Sequence, residues 1–171
     1  MEELLKAIEH DSIPQIKKLL KNSNYNLNQE VVVGKEYDLD EPDEIALLFY
    51  LIQSKASIEV IKLLVENGMD IKYTNKEGLG ALDFAIKYNR KDVINLCKEN
   101  GIDITKSSRK SGLTPLMLAS SFNDTDLIEF LIKEGADINQ KDKFGMSALD
   151  YAYKLGQKKA AKLLEELQES N

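Results

Sequence analysis

The chain contains one cysteine, Cys97, and one histidine, His10, among its 171 residues. A single cysteine cannot form an internal disulfide, so a reducing, cytoplasmic location is the expectation. His10 has no second histidine and no nearby cysteine with which to share a metal ion, and the sequence therefore predicts no metal site. Cys97 follows the period of the surrounding apolar helical residues, which favours a small core residue over a reactive thiol.

Long apolar runs are also missing. The longest extends over the eight residues from Ile45 to Ile52, well short of the roughly 18 that a membrane helix needs. The chain starts Met-Glu-Glu and then alternates charged with apolar residues, unlike a secretory signal. We therefore expect a protein without a membrane partner.

Motifs for chemistry are absent as well. The sequence has no glycine-rich phosphate loop, no nucleophile elbow and no helix with two histidines, so it predicts no catalytic residue, no cofactor and no small-molecule substrate. Its net charge is −6 and it has no dense basic stripe, which argues against nucleic-acid binding. We expect a protein that binds rather than catalyses.

The negative charge is unevenly distributed. Residues 1–50 contain 11 acidic and 5 basic groups, whereas residues 51–171 contain 18 of each. All of the excess acid therefore lies in the first third of the chain.

Two short patterns repeat with the same period. Gly-x-Asp-Ile begins at Gly68, Gly101 and Gly135, at spacings of 33 and 34 residues. A second pattern, glycine followed four residues later by leucine, begins at Gly78, Gly112 and Gly145. Three residues after each of those leucines stands an alanine, at Ala85, Ala119 and Ala152. A period of this length indicates an array of small stacked units.

Each unit has the pattern of two helices joined by a tight turn and followed by an extended loop. Thr114 suits the N-cap of a helix and Pro115 its first position. Ser147 and Asp150 have the spacing of a reciprocal cap. Gly135 suits the left-handed residue that ends a helix.

The stretch from Gly112 to Ala119, continued by Gly135 to Asn139, resembles the ankyrin repeat. The resemblance covers residues 43 to 166 and implies an all-α solenoid of five helix-turn-helix units with short β-hairpin loops. One departure is the missing histidine after Thr-Pro-Leu, a position held here by Asp83, Met117 and Asp150. Another side chain can satisfy the same backbone groups, so the departure does not change the expected fold.

The predicted boundaries are a capping repeat at 1–28, an acidic insertion at 29–43, repeats at 44–74, 75–108 and 109–141, and a C-terminal capping repeat at 142–171. The alanines at Ala85, Ala119 and Ala152 define what we call the framework position of the repeat. In the second repeat Ile52 takes this position. The insertion contains the acidic run from Glu36 to Glu41. It is either a second contact, reaching a basic partner or the chain's own basic loops, or a solvated loop without function.

The resemblance implies binding through the hairpin tips and the first helix of each unit, which line a concave face. The tips are Lys72–Lys76, Lys106–Lys110 and Gln140–Phe144, with seven basic residues and one acidic. Basic tips favour an acidic partner. The alternative is that lysine stands there for solubility.

A second group follows the framework alanines. The positions three residues after them are His10, Lys55, Tyr88, Phe122 and Leu155. In a stack, the last three would form an apolar row beside the basic tips and could anchor a partner. The alternative is that they pack only against neighbouring repeats.

The resulting prediction is a cytoplasmic, monomeric protein–protein interaction module. Its predicted partner-binding residues are Tyr73, Lys76, Lys87, Tyr88, Lys110, Leu113, Ser121, Phe122, Lys141, Lys143, Phe144 and Leu155. The composition and the free-standing array resemble small bacterial ankyrin proteins. That likeness implies two alternatives, an inhibitor, immunity protein or accessory factor of a toxin or enzyme, and a self-associating structural protein.

Overall fold

The computed structural model describes residues 1–33 and 43–169. The chain divides into two compact units, Met1–Tyr73 and Thr74–Asn171. The predicted acidic run from Glu36 to Glu41 lies outside the described residues.

Unit 1 contains four helices and one two-stranded antiparallel sheet within its described part. The elements are α1 (Glu2–Glu9), α2 (Ile13–Asn22), β1 (Glu30–Val33), β2 (Asp43–Ala46), α3 (Leu47–Gln53) and α4 (Ile58–Glu66). The strands pair from Glu30 opposite Ala46 to Val33 opposite Asp43. Part of the predicted insertion is therefore regular β-structure, and its Val31 is buried.

Unit 2 contains three helix pairs within its described part. The elements are α5 (Ala81–Lys87), α6 (Lys91–Glu99), α7 (Pro115–Ser121), α8 (Thr125–Lys133), α9 (Ala148–Lys154) and α10 (Lys158–Glu169). The first helices form one row, in which α7 packs between α5 and α9, and each second helix packs on its own first helix. The predicted helix-turn-helix repeats with short hairpin loops are confirmed.

Within residues 1–33 and 43–169 the same hydrogen bond closes all five helix pairs. The amide five residues after the framework position donates to its carbonyl at 2.7 to 3.1 Å, and the carbonyls are those of Ala7, Leu51, Ala85, Ala119 and Ala152. The residue immediately before the donating amide has a left-handed backbone in every pair. These residues are Asp11, Lys55, Asn89, Asn123 and Gly156. The turn bond fixes the register because only one carbonyl per helix can accept it.

That bond corrects the sequence prediction for the second repeat. The framework residue is Leu51 and not Ile52, although both side chains are fully buried. In the predicted row of positions three residues after the framework residue, Ser54 therefore replaces Lys55. Ser54 is the C-cap residue there, and Lys55 is the left-handed residue of the turn.

Local predictions based on caps and turns are confirmed. Thr114 accepts a hydrogen bond from the amide of Met117 at 3.2 Å, and Ser147 and Asp150 cap each other's amides at 2.8 and 3.2 Å. The aspartates of the repeated Gly-x-Asp-Ile each accept the amide two residues on, at Asp70, Asp103 and Asp137. These carboxylates hold the loops in shape.

The core confirms the assignment of Cys97. Its thiol is fully buried, and burial, helped by the charge of Asp83, raises its pKa to about 12. It occupies the position that Leu131 and Leu164 fill in the next two repeats, where both leucines are also fully buried. None of the helices in the described part is long and apolar enough to span a membrane.

Candidate protein-binding surface

The hairpin loops of unit 2 are hydrogen-bonded to one another. The amide of Lys110 donates to the carbonyl of Glu77 at 3.1 Å, and the amide of Lys143 donates to the carbonyl of Ser111 at 3.0 Å. The hydroxyl of Ser108 donates to the carbonyl of Gly78 at 2.8 Å. The tips therefore form a row whose backbone is held in place before any partner arrives.

The first and third of these hairpins are closed by a side chain at the same position. The Oδ1 atom of Asn75 accepts the amides of Glu77 and Leu79 at 2.9 and 3.0 Å. In the third hairpin, Oδ1 of Asp142 accepts two amides in the same way, both at 2.9 Å, from Phe144 and Met146.

The middle hairpin is closed differently. The hydroxyl of Ser107 donates to the carbonyl of Leu113 at 2.6 Å and accepts the amide of Arg109 at 3.0 Å. Arg109 stands where the other hairpins have Asn75 and Asp142, so its side chain takes no part in closing the loop.

The exposed part of this row is basic, with one large apolar side chain. The hairpin-tip cluster consists of Lys76, Lys110, Lys141, Lys143 and Phe144, all exposed. The ring of Phe144 is 76% exposed. Within residues 1–33 and 43–169, the four ammonium groups of the cluster form no ion pair.

Other predicted tip charges are already engaged. Lys106 pairs with Asp103 at 3.1 Å, Arg109 pairs with Asp83 at 2.5 Å, and Asp142 is buried. Counting seven free basic groups from the sequence therefore overstates the charge that the tips present.

The predicted apolar row lies at the C-terminal ends of the first helices of the repeats, α5, α7 and α9, which we call the inner helices. The hairpin tips lie at the opposite ends. Tyr88, Phe122 and Leu155 are the C-cap residues of α5, α7 and α9, and we call them the turn-end cluster. Phe122 is 48% and Leu155 52% exposed, which contradicts the alternative that these two only pack against neighbouring repeats. Tyr88 is half-buried and stacks on Phe84 with ring centroids 6.3 Å apart.

The expectation that this row lies beside the basic tips is wrong. Each inner helix starts next to its hairpin and ends at the turn, seven residues later. At 1.5 Å per residue this separates the two clusters by about 10 Å along the helix axis. The sequence contained the signal, because the glycine of each hairpin precedes the turn by one full helix.

Three further predicted partner-binding residues, Lys87, Ser121 and Leu113, make contacts within unit 2. The ammonium group of Lys87 lies 5.3 Å from the centre of the Tyr88 ring. The hydroxyl of Ser121 donates to the carbonyl of Met117 at 2.8 Å, so Ser121 supports its own helix. Leu113 is half-buried and accepts the bond that closes the middle hairpin.

Tyr73 belongs to unit 1. Its ring is half-buried and lies 5.6 Å, centroid to centroid, from the ring of Phe49. Packing against Phe49 within unit 1 accounts for the position of the Tyr73 ring.

Two contacts of charged side chains behind the tips are not predicted by the sequence pattern. The Nε atom of Arg109 donates to Asp83 at 2.5 Å, and these side chains are only 18% and 14% exposed. The other Asp83 oxygen accepts the amide of Gly80 at 2.8 Å. Asp83 thus caps α5 and holds the guanidinium at once.

The second contact joins Tyr151 to Asp142. The Tyr151 hydroxyl donates to Oδ2 of Asp142 at 2.7 Å, and burial together with this bond raises the pKa of Tyr151 to about 12. Burial works to raise the pKa of Asp142, but the hydroxyl and the two hairpin amides outweigh it, and that pKa is lowered. Tyr151 is therefore neutral and Asp142 ionised at neutral pH.

The described residues hold no candidate metal centre. No group of three or more His, Cys, Asp or Glu side chains in this part of the chain could hold a metal ion. The ring Nδ1 of His10 lies 2.7 Å from the carbonyl oxygen of Lys6, at the end of its own helix.

Comparison with known families decides the class of the repeat. The family profile described as ankyrin repeats (3 copies) matches residues 4–108 and, a second time, residues 105–170. This chain belongs to the ankyrin-repeat family. No curated protein gives a significant match to it. Ankyrin repeats are generic protein–protein interaction modules and are typically non-catalytic.

Proposed function

We propose that this ankyrin-repeat protein binds an acidic segment of one protein partner through the hairpin-tip cluster, with the turn-end cluster as a second contact. One observation carries the proposal. The three-quarters exposed ring of Phe144 lies in the same hairpin tip as the exposed Lys141 and Lys143, on a row of hairpins whose backbones are hydrogen-bonded together.

An exposed aromatic ring among cations suits a protein interface. The ring supplies a large contact area at a small cost in side-chain entropy. The lysines of the hairpin-tip cluster attract an acidic segment and speed its approach, although each exposed charge adds little affinity by itself. Because the tips are already ordered, binding spends little free energy on fixing the loop backbone.

The same rigidity favours a dedicated, one-to-one inhibitor or accessory protein as the finer form of this function. A preformed surface selects for one complementary shape, whereas promiscuous binders use surfaces that can repack. Titration calorimetry on the purified complex would support this form with a single site per chain. Binding of several unrelated proteins with similar affinity would contradict it.

The first test is affinity capture from the native cell, followed by titration of the purified partner. Phe144→Ala and the double change Lys141→Glu with Lys143→Glu should each weaken binding by at least about tenfold. Lys159→Glu is the matched control, because Lys159 is exposed on α10, a second helix of its pair. Wild-type affinity in both tip variants would refute the proposal.

Salt adds a second readout. If the lysines attract an acidic segment, the association rate should fall as salt rises from about 50 to 500 mM, and the double variant should show a flatter dependence. Equal salt dependence in the wild-type protein and the double variant would count against an acidic partner.

A further inference from the structure

We infer that Arg109 is a carboxylate receptor on this surface, and that an Asp or Glu side chain of the partner docks on its terminal amino groups. The inference rests on the proposed function, because it names the group that the acidic segment contributes.

The loop itself does not need an arginine at this position. In the neighbouring hairpins the equivalent side chain closes the loop, whereas here Ser107 does so through its hydroxyl. The guanidinium instead reaches Asp83, which lies 26 residues earlier on α5. A side chain that closes no loop is free to serve another purpose.

The guanidinium is held by one edge only. Its Nε atom donates to Asp83 at 2.5 Å, and Asp83 is fixed in turn by the amide of Gly80 at 2.8 Å. Among the described residues, the guanidinium makes no other hydrogen bond. The two terminal amino groups therefore remain for a ligand, in the planar fork that matches a carboxylate.

Burial makes this fork more effective than an exposed one. The side chain of Arg109 is 18% exposed, so water competes less for its donors than it does for the lysines at the tips. Its rotamer is already fixed by Asp83, which lowers the entropy that binding would cost.

The charges around the fork favour a singly charged acid. Asp83 bonds Arg109 directly, and Asp142 accepts the hydroxyl of Tyr151, a group on which the charge of Arg109 acts. Each of these carboxylates is already satisfied by amides of its own loop or helix. A carboxylate adds one negative charge beside them, and the exposed Lys110, the next residue along the chain, adds a positive charge to the same hairpin tip. A phosphate adds nearly two and is repelled more strongly by the same aspartates.

The plain alternative is that Arg109 and Asp83 form a structural ion pair between a hairpin and α5. Arg109→Lys separates the two roles, because lysine keeps the charge and can still reach Asp83 but lacks the fork. A purely structural pair would survive this change, and a carboxylate receptor would not.

The chain offers a direct measurement, because Arg90 and Arg109 are its only arginines. Side-chain resonances of the two guanidinium groups can be followed by nitrogen NMR on the whole protein. The probe is a 12-residue polyglutamate peptide with blocked ends, and a polyglutamine peptide of equal length is its neutral control. Inorganic phosphate is the third arm.

We expect the terminal Nη resonances of Arg109 to shift and saturate with polyglutamate while those of Arg90 stay in place. Arg109→Lys should raise the Kd for the peptide about tenfold, since a charged, two-point hydrogen bond is lost. Its melting temperature should match that of the wild-type protein.

Three results would overturn the inference. They are equal shifts at both arginines, an equal or larger response to phosphate, and wild-type peptide affinity in Arg109→Lys. The proposed function fails separately. If Phe144→Ala and the double variant at Lys141 and Lys143 both bind the partner normally, that proposal falls whether or not Arg109 responds to the peptide.

Discussion

The two units shape the loop side of their repeats in different ways. Unit 1 uses a ladder of four residue pairs between β1 and β2, which buries Val31. In unit 2 the first hairpin contains a single bridge, between Thr74 and Gly80, and Asn75 closes its tip with both backbone and side-chain hydrogen bonds. A ladder uses backbone groups to hold the loop, whereas short tips leave side chains available at the surface.

The same contrast appears at the framework position of the helix pairs. Unit 1 has Ala7 and Leu51 there, whereas unit 2 has alanine in all three repeats, and all five side chains are at most 2% exposed. Small residues allow neighbouring inner helices to pack closely, and a leucine requires space that other side chains must leave. The framework position therefore distinguishes a regular repeat from an adapted one.

Removing the adapted side chain should have the largest effect. Leu51→Ala deletes a fully buried side chain and should lower the free energy of unfolding by about 2–5 kcal/mol, because the surrounding core cannot collapse fully into the cavity. Urea denaturation followed by circular dichroism measures the change. A loss below about 1 kcal/mol would show that leucine is not required in unit 1.

The reverse change tests whether unit 2 tolerates a large residue. Ala119→Leu forces a side chain of leucine size between closely packed inner helices and should cost about 1–3 kcal/mol. The same denaturation experiment measures it. If the variant is as stable as the wild-type protein, the distinction between the two framework positions has no energetic basis.

A third change breaks the contact between the tips of unit 2. Gly78 has a φ of +80°, and a Cβ atom there would clash with the backbone carbonyl of Ser108. Gly78→Ala should cost about 2 kcal/mol from the clash and the left-handed backbone together. Gly145→Ala is the matched control, because its φ is +76° with no atom within 4 Å of a new Cβ.

The control should lose only about 1 kcal/mol, the cost of a left-handed alanine. Thermal unfolding of both variants in the same buffer gives the difference. Equal losses would mean that the close approach of the hairpins is not rigid, which would weaken the case for a preformed surface.

Local features of the fold could be predicted from the sequence, and register could not. Caps such as Thr114 and the Asp103 loop depend on residues within three positions, so their spacing is enough to predict them. At the framework position of the second repeat the sequence predicts Ile52 instead of Leu51, because neither residue is the alanine of the other repeats and the turn bond that sets the register is a three-dimensional feature. The strand from Glu30 to Val33 pairs across an insertion and gave no periodic signal.

The candidate surface shows the same limit. The exposure of Phe122 and Leu155 is one of the two alternatives that the sequence leaves open, and the position of Phe144 at a hairpin tip is predicted by the repeat. The pairing of Arg109 with Asp83 was not, because it joins residues 26 positions apart through side chains of no fixed direction. The one hint was that Arg109 stands where the other hairpins have an amide or a carboxylate.

The two units also hold their Gly-x-Asp-Ile loops differently. The expected effect on stability is smaller than those above. In unit 1 the side-chain Nδ2 of Asn28 donates to the carbonyl of Gly68 at 3.0 Å, and its Oδ1 accepts the backbone amide of Asp70 at 2.7 Å. Asn28→Ala removes both bonds from an exposed site and should cost about 1 kcal/mol. Hydrogen exchange at the Asp70 amide should speed up, and unchanged exchange there would contradict a clamping role.

The corresponding loop of unit 2 is held by Asp103 itself. Thr105 donates to its carboxylate through both the hydroxyl, at 2.6 Å, and the amide, at 3.0 Å, and these bonds with Lys106 lower the pKa of Asp103 to about 2. A depressed pKa stabilises the folded state above the ordinary value near 3.8, and this contribution is lost as the pH falls through about 2.

Thr105→Val removes the hydroxyl donor, which is the largest cause of the shift, and should raise the pKa of Asp103 towards its ordinary value. Carbon NMR of the carboxyl group across pH 1 to 6 measures it. The effect on stability at neutral pH should be small, because the carboxylate is 48% exposed and water replaces part of the lost bond. Lys106→Gln should move the pKa less, and the opposite order would mean that charge rather than hydrogen bonding holds this loop.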